Sequence, residues 1–362
     1  MHTNSENAGI QDQPARKRRG CLGCLGRGVL GLLGFLVIGM VAGAIYQAVA
    51  SSTDAKKYPP PGAIHQVGDL DLHLYCAGEG SPTVILEAGA GSPSSGWVWV
   101  QEKVAVFTRV CSYDRPGFGW SSPASGPLSS EQVAATLHEL LAVAGIPGPY
   151  VLVGHSDGGV YVRAFQALYP PEVVGMVLVD SSHESQNLRF PPAYLSTLQQ
   201  QAWMMKACQA VAPFGVVRLT RLWTQLLPQA ILSTQQGAAV LSTMYRASYC
   251  GASADELEAV SDFLSQPQGP ASLGDLPLVV ISAGLSLDEM LAQTPRAAIA
   301  LMGKDTFAQI VQISHDLQTE LVNLSTQGRQ VIAEESTHNI QWDQPDLVVD
   351  AIREVVEQVR RD

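Results

Sequence analysis

The chain has 362 residues, 46% hydrophobic and only 15% charged, with a net charge of −11 at pH 7. That length admits one large α/β domain or two small ones, and the negative balance argues against a nucleic-acid partner. The charge is unevenly placed: residues 1–28 carry five Lys/Arg against two Asp/Glu, and the remainder 17 against 31.

The first predicted element is an apolar helix. Val29–Ala50 is 22 residues without a charge. As a helix it reaches about 33 Å, against a hydrocarbon core of roughly 30 Å. The "ARKRRG" cluster ahead of it keeps the N-terminus cytoplasmic by the positive-inside rule and places the body outside the cell. The alternative is a secretory signal cleaved at "AVASS" (Ala48–Ser52), which gives a secreted protein; the long tail and long apolar run favour an uncleaved anchor. Gly39 and Gly43 form a GxxxG pair, a weak signal for homo-association of spans. Cys21 and Cys24, beside the basic cluster, are either palmitoylation sites or ordinary membrane-edge cysteines. Cys76, Cys111, Cys208 and Cys250 lie beyond the span, an even number that permits two disulfides in an oxidising compartment. Their spacing fits no zinc pattern, and neither metal nor organic cofactor is expected.

After the span, "SSTDAKKYPPPG" (Ser51–Gly62) reads as a stiff, extended linker because of its three prolines. Strand and helix signals then alternate. The β-rich runs are "AIHQV", "LDLHLYC", "TVILEAG", "RVCSYD", "YVLVGHS", "VVGMVLVDSS", "LPLVVISAG" and "RQVIAEE". Ser130–Ala144 carries Val133, Leu137, Leu140 and Leu141 on one helical face and stops at Gly145. Pro345–Arg361 repeats the helical spacing with Leu347, Val348, Ala351, Ile352, Val355 and Val359. This alternation predicts a mostly parallel sheet with helices on both faces. Residues 184–274 break it: they show no clear strand, and read as a helical insertion rather than a loop. The chain thus divides into a basic tail (1–28), a span (29–50), a linker (51–62), a core (63–183 and 275–362) and the insertion.

The chemistry centres on Gly154-His155-Ser156-Asp157-Gly158, a G-x-S-x-G between a predicted strand and a predicted helix. A serine on a sharp strand-to-helix turn projects its hydroxyl from the sheet edge, and glycines two before and two after admit neighbouring chains. A serine hydroxyl is a poor nucleophile alone and needs a base and an orienter. His338, after the last strand and before the terminal helix, is the candidate base; His183, at a strand end, is the competing site histidine, more naturally a pocket wall. For the acid, Asp180 ends the strand next to the serine's own, while Asp288 lies beyond the seventh strand; Asp180 is preferred. The oxyanion donors are expected to be the backbone N–H groups of Asp157 and of Ala90, in the turn "LEAGAGSPSSGW" where Gly89 and Gly91 permit close approach.

In these residues the chain resembles the α/β-hydrolase superfamily. "GHSDGG", "YDRPGFGWS" (Tyr113–Ser121) and "STHNIQWDQPDLV" (Ser336–Val348) stand in the family's order, and the likeness runs from about Ala63 to Arg361. The resemblance implies an eight-stranded sheet with a helical lid after the sixth strand, where residues 184–274 fall. It implies neighbouring second and fourth strands, hence a Cys76–Cys111 disulfide, and more loosely Cys208–Cys250 within the lid. Two departures stand out: Ala88-Gly89 replaces the usual His-Gly of the oxyanion turn, and Gly284 to Asp288 is not the common Gly-x-x-Asp. Relatives such as haloalkane dehalogenases carry the acid at the end of the sixth strand, where Asp180 falls. Ser156 itself argues against dehalogenase and epoxide hydrolase chemistry, whose nucleophile is aspartate.

The expected protein is a membrane-anchored serine hydrolase acting on a small-molecule acyl substrate, a carboxylic ester, with Trp203, Met204, Met205, Trp223, Leu226 and Leu227 of the lid available to line an apolar acyl pocket. An aminopeptidase, amidase or acyltransferase on the same residues is the first alternative, with Asp255, Glu256 and Glu258 available to meet a substrate amine. A non-catalytic binding module on the same fold is the second.

Overall fold

The computed structural model describes residues 21–225, 234–266, 271–293, 299 and 302–361. Its centre is an eight-stranded sheet: β1 (Ala63–Val67), β2 (Leu70–Ala77), β3 (Thr83–Glu87), β4 (Val110–Tyr113), β5 (Tyr150–His155), β6 (Val173–Val179), β7 (Leu278–Ala283) and β8 (Gly328–Ala333). The spatial order is β1-β2-β4-β3-β5-β6-β7-β8. β1, β2 and β4 pair antiparallel, and every other neighbouring pair is parallel. Strands β3, β4 and β5 are buried at every residue, as strands covered on both faces must be.

Each sheet face builds its own core. One packs Ile85, Leu152 and Met176 against Leu137, Leu141 and Phe165; these last belong to helices α3 (Ser130–Val143) and α4 (Gly158–Leu168). The other packs Val84, Val153 and Val177 against Trp97, Val348, Ile352 and Val355. It uses the helices we number α2 (Val98–Val104) and α9 (Pro345–Val359). Helix α3 starts on a capping box in which Ser129 and Gln132 satisfy each other's backbone N–H groups.

Between β6 and β7 the described residues form helices: α5 (Pro192–Val211), α6 (Gln235–Met244) and α7 (Ala247–Phe263), with short turns between. Helix α8 (Lys304–Val322) follows β7. The inserted helices have a core of their own, in which Trp223, Val240, Met244 and Tyr249 surround Cys250. A disulfide joins Cys208 of α5 to Cys250 of α7. A second joins Cys76 to Cys111, which are register partners on the antiparallel strands β2 and β4.

Helix α1 (Cys21–Lys57) contains the apolar run, and among the described residues it is long and apolar enough to cross a bilayer. It overruns the predicted linker. "SSTDAKK" contains no helix breaker, so the helix continues to Lys57 and stops only at the prolines that begin with Pro59. The extended connection is thus shorter than the sequence suggested. The close-approach face of Gly43 is occupied within the chain by the backbone of Phe214, while Gly39 has no neighbour within 4 Å. Residues 1–20 of the basic tail lie outside the described residues.

Candidate active site

Strand β5 delivers Ser156 to the carboxyl end of the sheet, and α4 begins two residues later. Ser156 holds a positive φ of 52°, a conformation few non-glycine residues adopt. The turn is tight enough to require its glycines. A Cβ on Gly154 would lie 2.6 Å from the Gly158 carbonyl oxygen, and one on Gly158 would lie 2.6 Å from the carbonyl oxygens of Glu87 and Ala88.

Three side chains from three segments meet there. His338 Nε2 lies 2.9 Å from Ser156 Oγ, and His338 Nδ1 lies 2.7 Å from Asp180 Oδ2. Asp180 ends β6 at a φ of 40° and its other oxygen accepts from the Ala283 N–H at 3.1 Å. Desolvation would lower the His338 pKa, but the hydrogen bond and charge of Asp180 outweigh it, and the imidazole sits above its ordinary value. Burial would raise Asp180, yet the bond to His338, its charge and the Ala283 N–H hold the carboxyl below its ordinary value. Asp288 does not join this group: its carboxylate is 90% exposed and lies 3.6 Å from Lys304. His183 is buried, held by the Ser185 N–H at Nδ1 and 3.6 Å from Glu320.

The N–H groups of Asp157 and Ala90 donate to no acceptor among the described residues. Gly89 carries Ala90 beside the serine: a Cβ on Gly89 would lie 3.0 Å from Ser156 Cβ. The Asp157 side chain is buried and accepts from Ser182 Oγ at 2.6 Å; burial raises its pKa.

Two supports were not singled out in the sequence. His155 is buried behind His338 and its Nε2 donates to the His338 carbonyl at 2.9 Å. Burial, then the His338 charge, lower its pKa to about 3, so it stays neutral. The second is Arg115, in the "DRPGFG" loop after β4. Its guanidinium donates to the carbonyls of Ala88 and Gly89 at 2.6 and 2.7 Å and pairs with Glu87 at 2.6 Å. It also donates to Glu256 Oε1 at 2.9 Å, and Glu256 Oε2 accepts from the Gly91 N–H at 2.6 Å. The turn that carries Ala90 is thus fixed by one buried cation and two buried carboxylates. A glutamate closing the buried run "TVILE" was the available signal, since a buried charge demands a partner.

A cavity of about 190 Å³ adjoins this turn, lined by Ala90, Trp99, Val240, Met244, Tyr249 and Trp342 among others. Most of the residues expected to line an acyl pocket lie elsewhere. Trp203 and Met204 are 75% and 54% exposed, whereas Met205 and Trp223 pack into the insertion's own core. Leu226 and Leu227 lie outside the described residues. The acidic residues of the insertion are also placed: Glu256 is bound as above, Glu258 pairs with Lys206, and Asp255 lines a separate cavity of about 230 Å³.

Comparison with known proteins agrees with this fold. The chain is 28% identical over 295 residues to a protein named probable transporter efuK from Hormonema carpetanum, covering 77% of this chain and 40% of that one. It therefore spans well under half of that relative's length. It is 26% identical over 296 residues to an AB hydrolase superfamily protein from Gibberella zeae, covering 77% and 87%. In fold it matches the enol-lactonase from Burkholderia xenovorans LB400 at a TM-score of 0.58 and 18% identity, covering 82% of this chain and 100% of that one. The family model described as the alpha/beta hydrolase family matches residues 84–351. The chain therefore belongs to the alpha/beta hydrolase family.

Proposed function

We propose that this protein is a membrane-anchored serine hydrolase that cleaves carboxylic esters through an acyl-enzyme. One observation carries the reading: Ser156 Oγ, His338 and Asp180 form an unbroken chain of two hydrogen bonds at a nucleophile elbow. Ser156 Oγ attacks the acyl carbon while His338 Nε2 takes its proton. The N–H groups of Ala90 and Asp157 receive the oxyanion. Collapse expels the alcohol, which takes the proton from His338. Water, deprotonated by the same nitrogen, then attacks the acyl-enzyme, releases the acid and restores Ser156. Asp180 holds the tautomer and stabilises the imidazolium throughout. The inserted helices act as the lid, and the cavity beside Ala90 takes an apolar group of the substrate. Helix α1 is the anchor, with the body on the outer side of the cell membrane.

Ester cleavage is preferred to peptidase action because Glu256 and Glu258 are already engaged by cations of this chain and Asp255 lines a cavity apart from Ala90. The test uses the full chain in detergent micelles. A fluorophosphonate should label the wild type and leave Ser156→Ala unlabelled, and p-nitrophenyl ester turnover should fall at least about 1,000-fold in that variant. A folded wild type that neither labels nor turns over esters sinks the proposal and leaves a binding module.

A further inference from the structure

The last turns of α1 are held by the insertion. Gly43 meets the backbone of Phe214 so closely that a Cβ there would overlap its carbonyl oxygen. Gln47 is only 6% exposed and donates to the Tyr245 carbonyl at 2.6 Å. Arg218 pairs with Asp54 at 2.5 Å and its guanidinium lies 4.8 Å from the Tyr245 ring centre. Gly43 stands seven residues before Ala50, where the apolar run ends. Seven residues are about 10 Å of helix. The contact at Phe214 therefore lies within the stretch of α1 that a bilayer would enclose.

The surface around Phe214 suits that depth. The segment "VAPFGVVRLTRL" (residues 211–222) exposes Val211, Val216, Leu219 and Leu222, with Leu219 at 64%, and also exposes Arg221. On α1 beside it, Ile45 and Val49 are 60% and 61% exposed. Apolar side chains interspersed with arginine are the composition of elements that lie in a membrane interface.

We propose that residues 211–222 are a second membrane-contact element, seated in the headgroup and outer acyl layer of the leaflet at the C-terminal end of α1. Arg221 meets anionic headgroups, and the four apolar side chains enter the acyl layer. This rests on reading α1 as a span. It also deepens the functional reading, because α6 touches both structures. Val240 and Met244 line the cavity at the oxyanion turn, and Tyr245, just after α6, accepts from Gln47. A single helix, α6, therefore lies between the grip on α1 and the turn that carries Ala90.

The test is depth-dependent quenching on the full chain in phosphatidylcholine/phosphatidylglycerol vesicles containing doxyl-labelled lipid. An environment-sensitive fluorophore is placed at Val41→Cys, Leu219→Cys or Ile332→Cys, each in a Cys21→Ser/Cys24→Ser background with both disulfides kept. Val41 reports the span, and Ile332, 49% exposed on β8, reports the water-facing body. The expected result is quenching at Leu219 within about twofold of that at Val41, with none at Ile332. Quenching at Val41 without quenching at Leu219 overturns the contact element and leaves the anchor standing. No quenching at Val41 overturns both. A Leu219 label that is blue-shifted but unquenched marks a protein partner or second copy, and also overturns the proposal.

Discussion

Ser156 and Asp180 both hold backbone conformations in the left-handed region, at φ values of 52° and 40°. Such positions are unfavourable for residues with a Cβ and cluster where geometry serves chemistry. Here the two strained residues flank His338 from adjacent strands, one at each ring nitrogen. Because Asp180 holds the His338 pKa above its ordinary value, the imidazole protonates as pH falls through that raised value. The acid limb of kcat/KM should therefore have its midpoint above about 6.5. In Asp180→Asn the raising influence is gone, so the limb should move to lower pH while kcat falls about 1,000- to 10,000-fold. A pH–rate profile of both enzymes checks this; an unmoved limb removes Asp180 from its assigned role. The meeting of Ser156, His338 and Asp180 was legible because each stands beside a recognisable element end. Arg115 and His155 were not, because nothing in their local sequence marks which remote groups they hold: Arg115 finds Ala88 27 residues before it and Glu256 141 after it.

At the scale of elements, the insertion touches the turn that carries Ala90 through α7. Glu256 reaches both Arg115 and the Gly91 N–H, and Tyr249 donates to the Gly91 carbonyl at 2.9 Å. Arg115→Met would leave Glu87 and Glu256 buried without their cation, a change that costs about 3–5 kcal/mol. A drop of several degrees in the melting temperature is expected. Arg115→Lys should not restore it, since one ammonium cannot reproduce the fork that spans two carbonyls and two carboxylates. Calorimetry on the two variants decides the matter, and wild-type stability in Arg115→Met would refute it. Which faces the inserted helices turn to the site could not be read from their sequences. Trp203 lies on α5, which has no single sharp apolar face, and Trp223 lies in the short turn Leu222–Gln225, so the two look equivalent until packing exposes one and buries the other. The end of α1 was also misplaced, because prolines announce where a helix stops and are silent about how far it runs before them.

For the whole molecule, the eight strands were legible as eight β-rich runs, clearest in β3, β5 and β6, where a parallel strand covered on both faces is apolar on both. Their spatial order was not contained in those runs; only the pairing of the second and fourth strands was expected, from the family resemblance. That order makes Cys76 and Cys111 register partners and closes a loop with a sequence separation of 35. Loop-closure entropy for such a length amounts to about 3–4 kcal/mol. The Cys76→Ser/Cys111→Ser double variant should melt well below the wild type under non-reducing conditions, and an unchanged melting temperature would show that the sheet edge needs no cross-link.

Helix α1 runs without a break to Lys57, and the insertion grips it at Gly43, Gln47 and Asp54. A flexible arm of twelve residues would have let the body swing over about 20 Å. With the proposed anchor, the grip replaces that arm by a fixed working height and a fixed orientation. Collisions with substrate are then confined to a thin sheet of lateral diffusion, so turnover should scale with the mole fraction of ester in the membrane rather than with its concentration in the surrounding water.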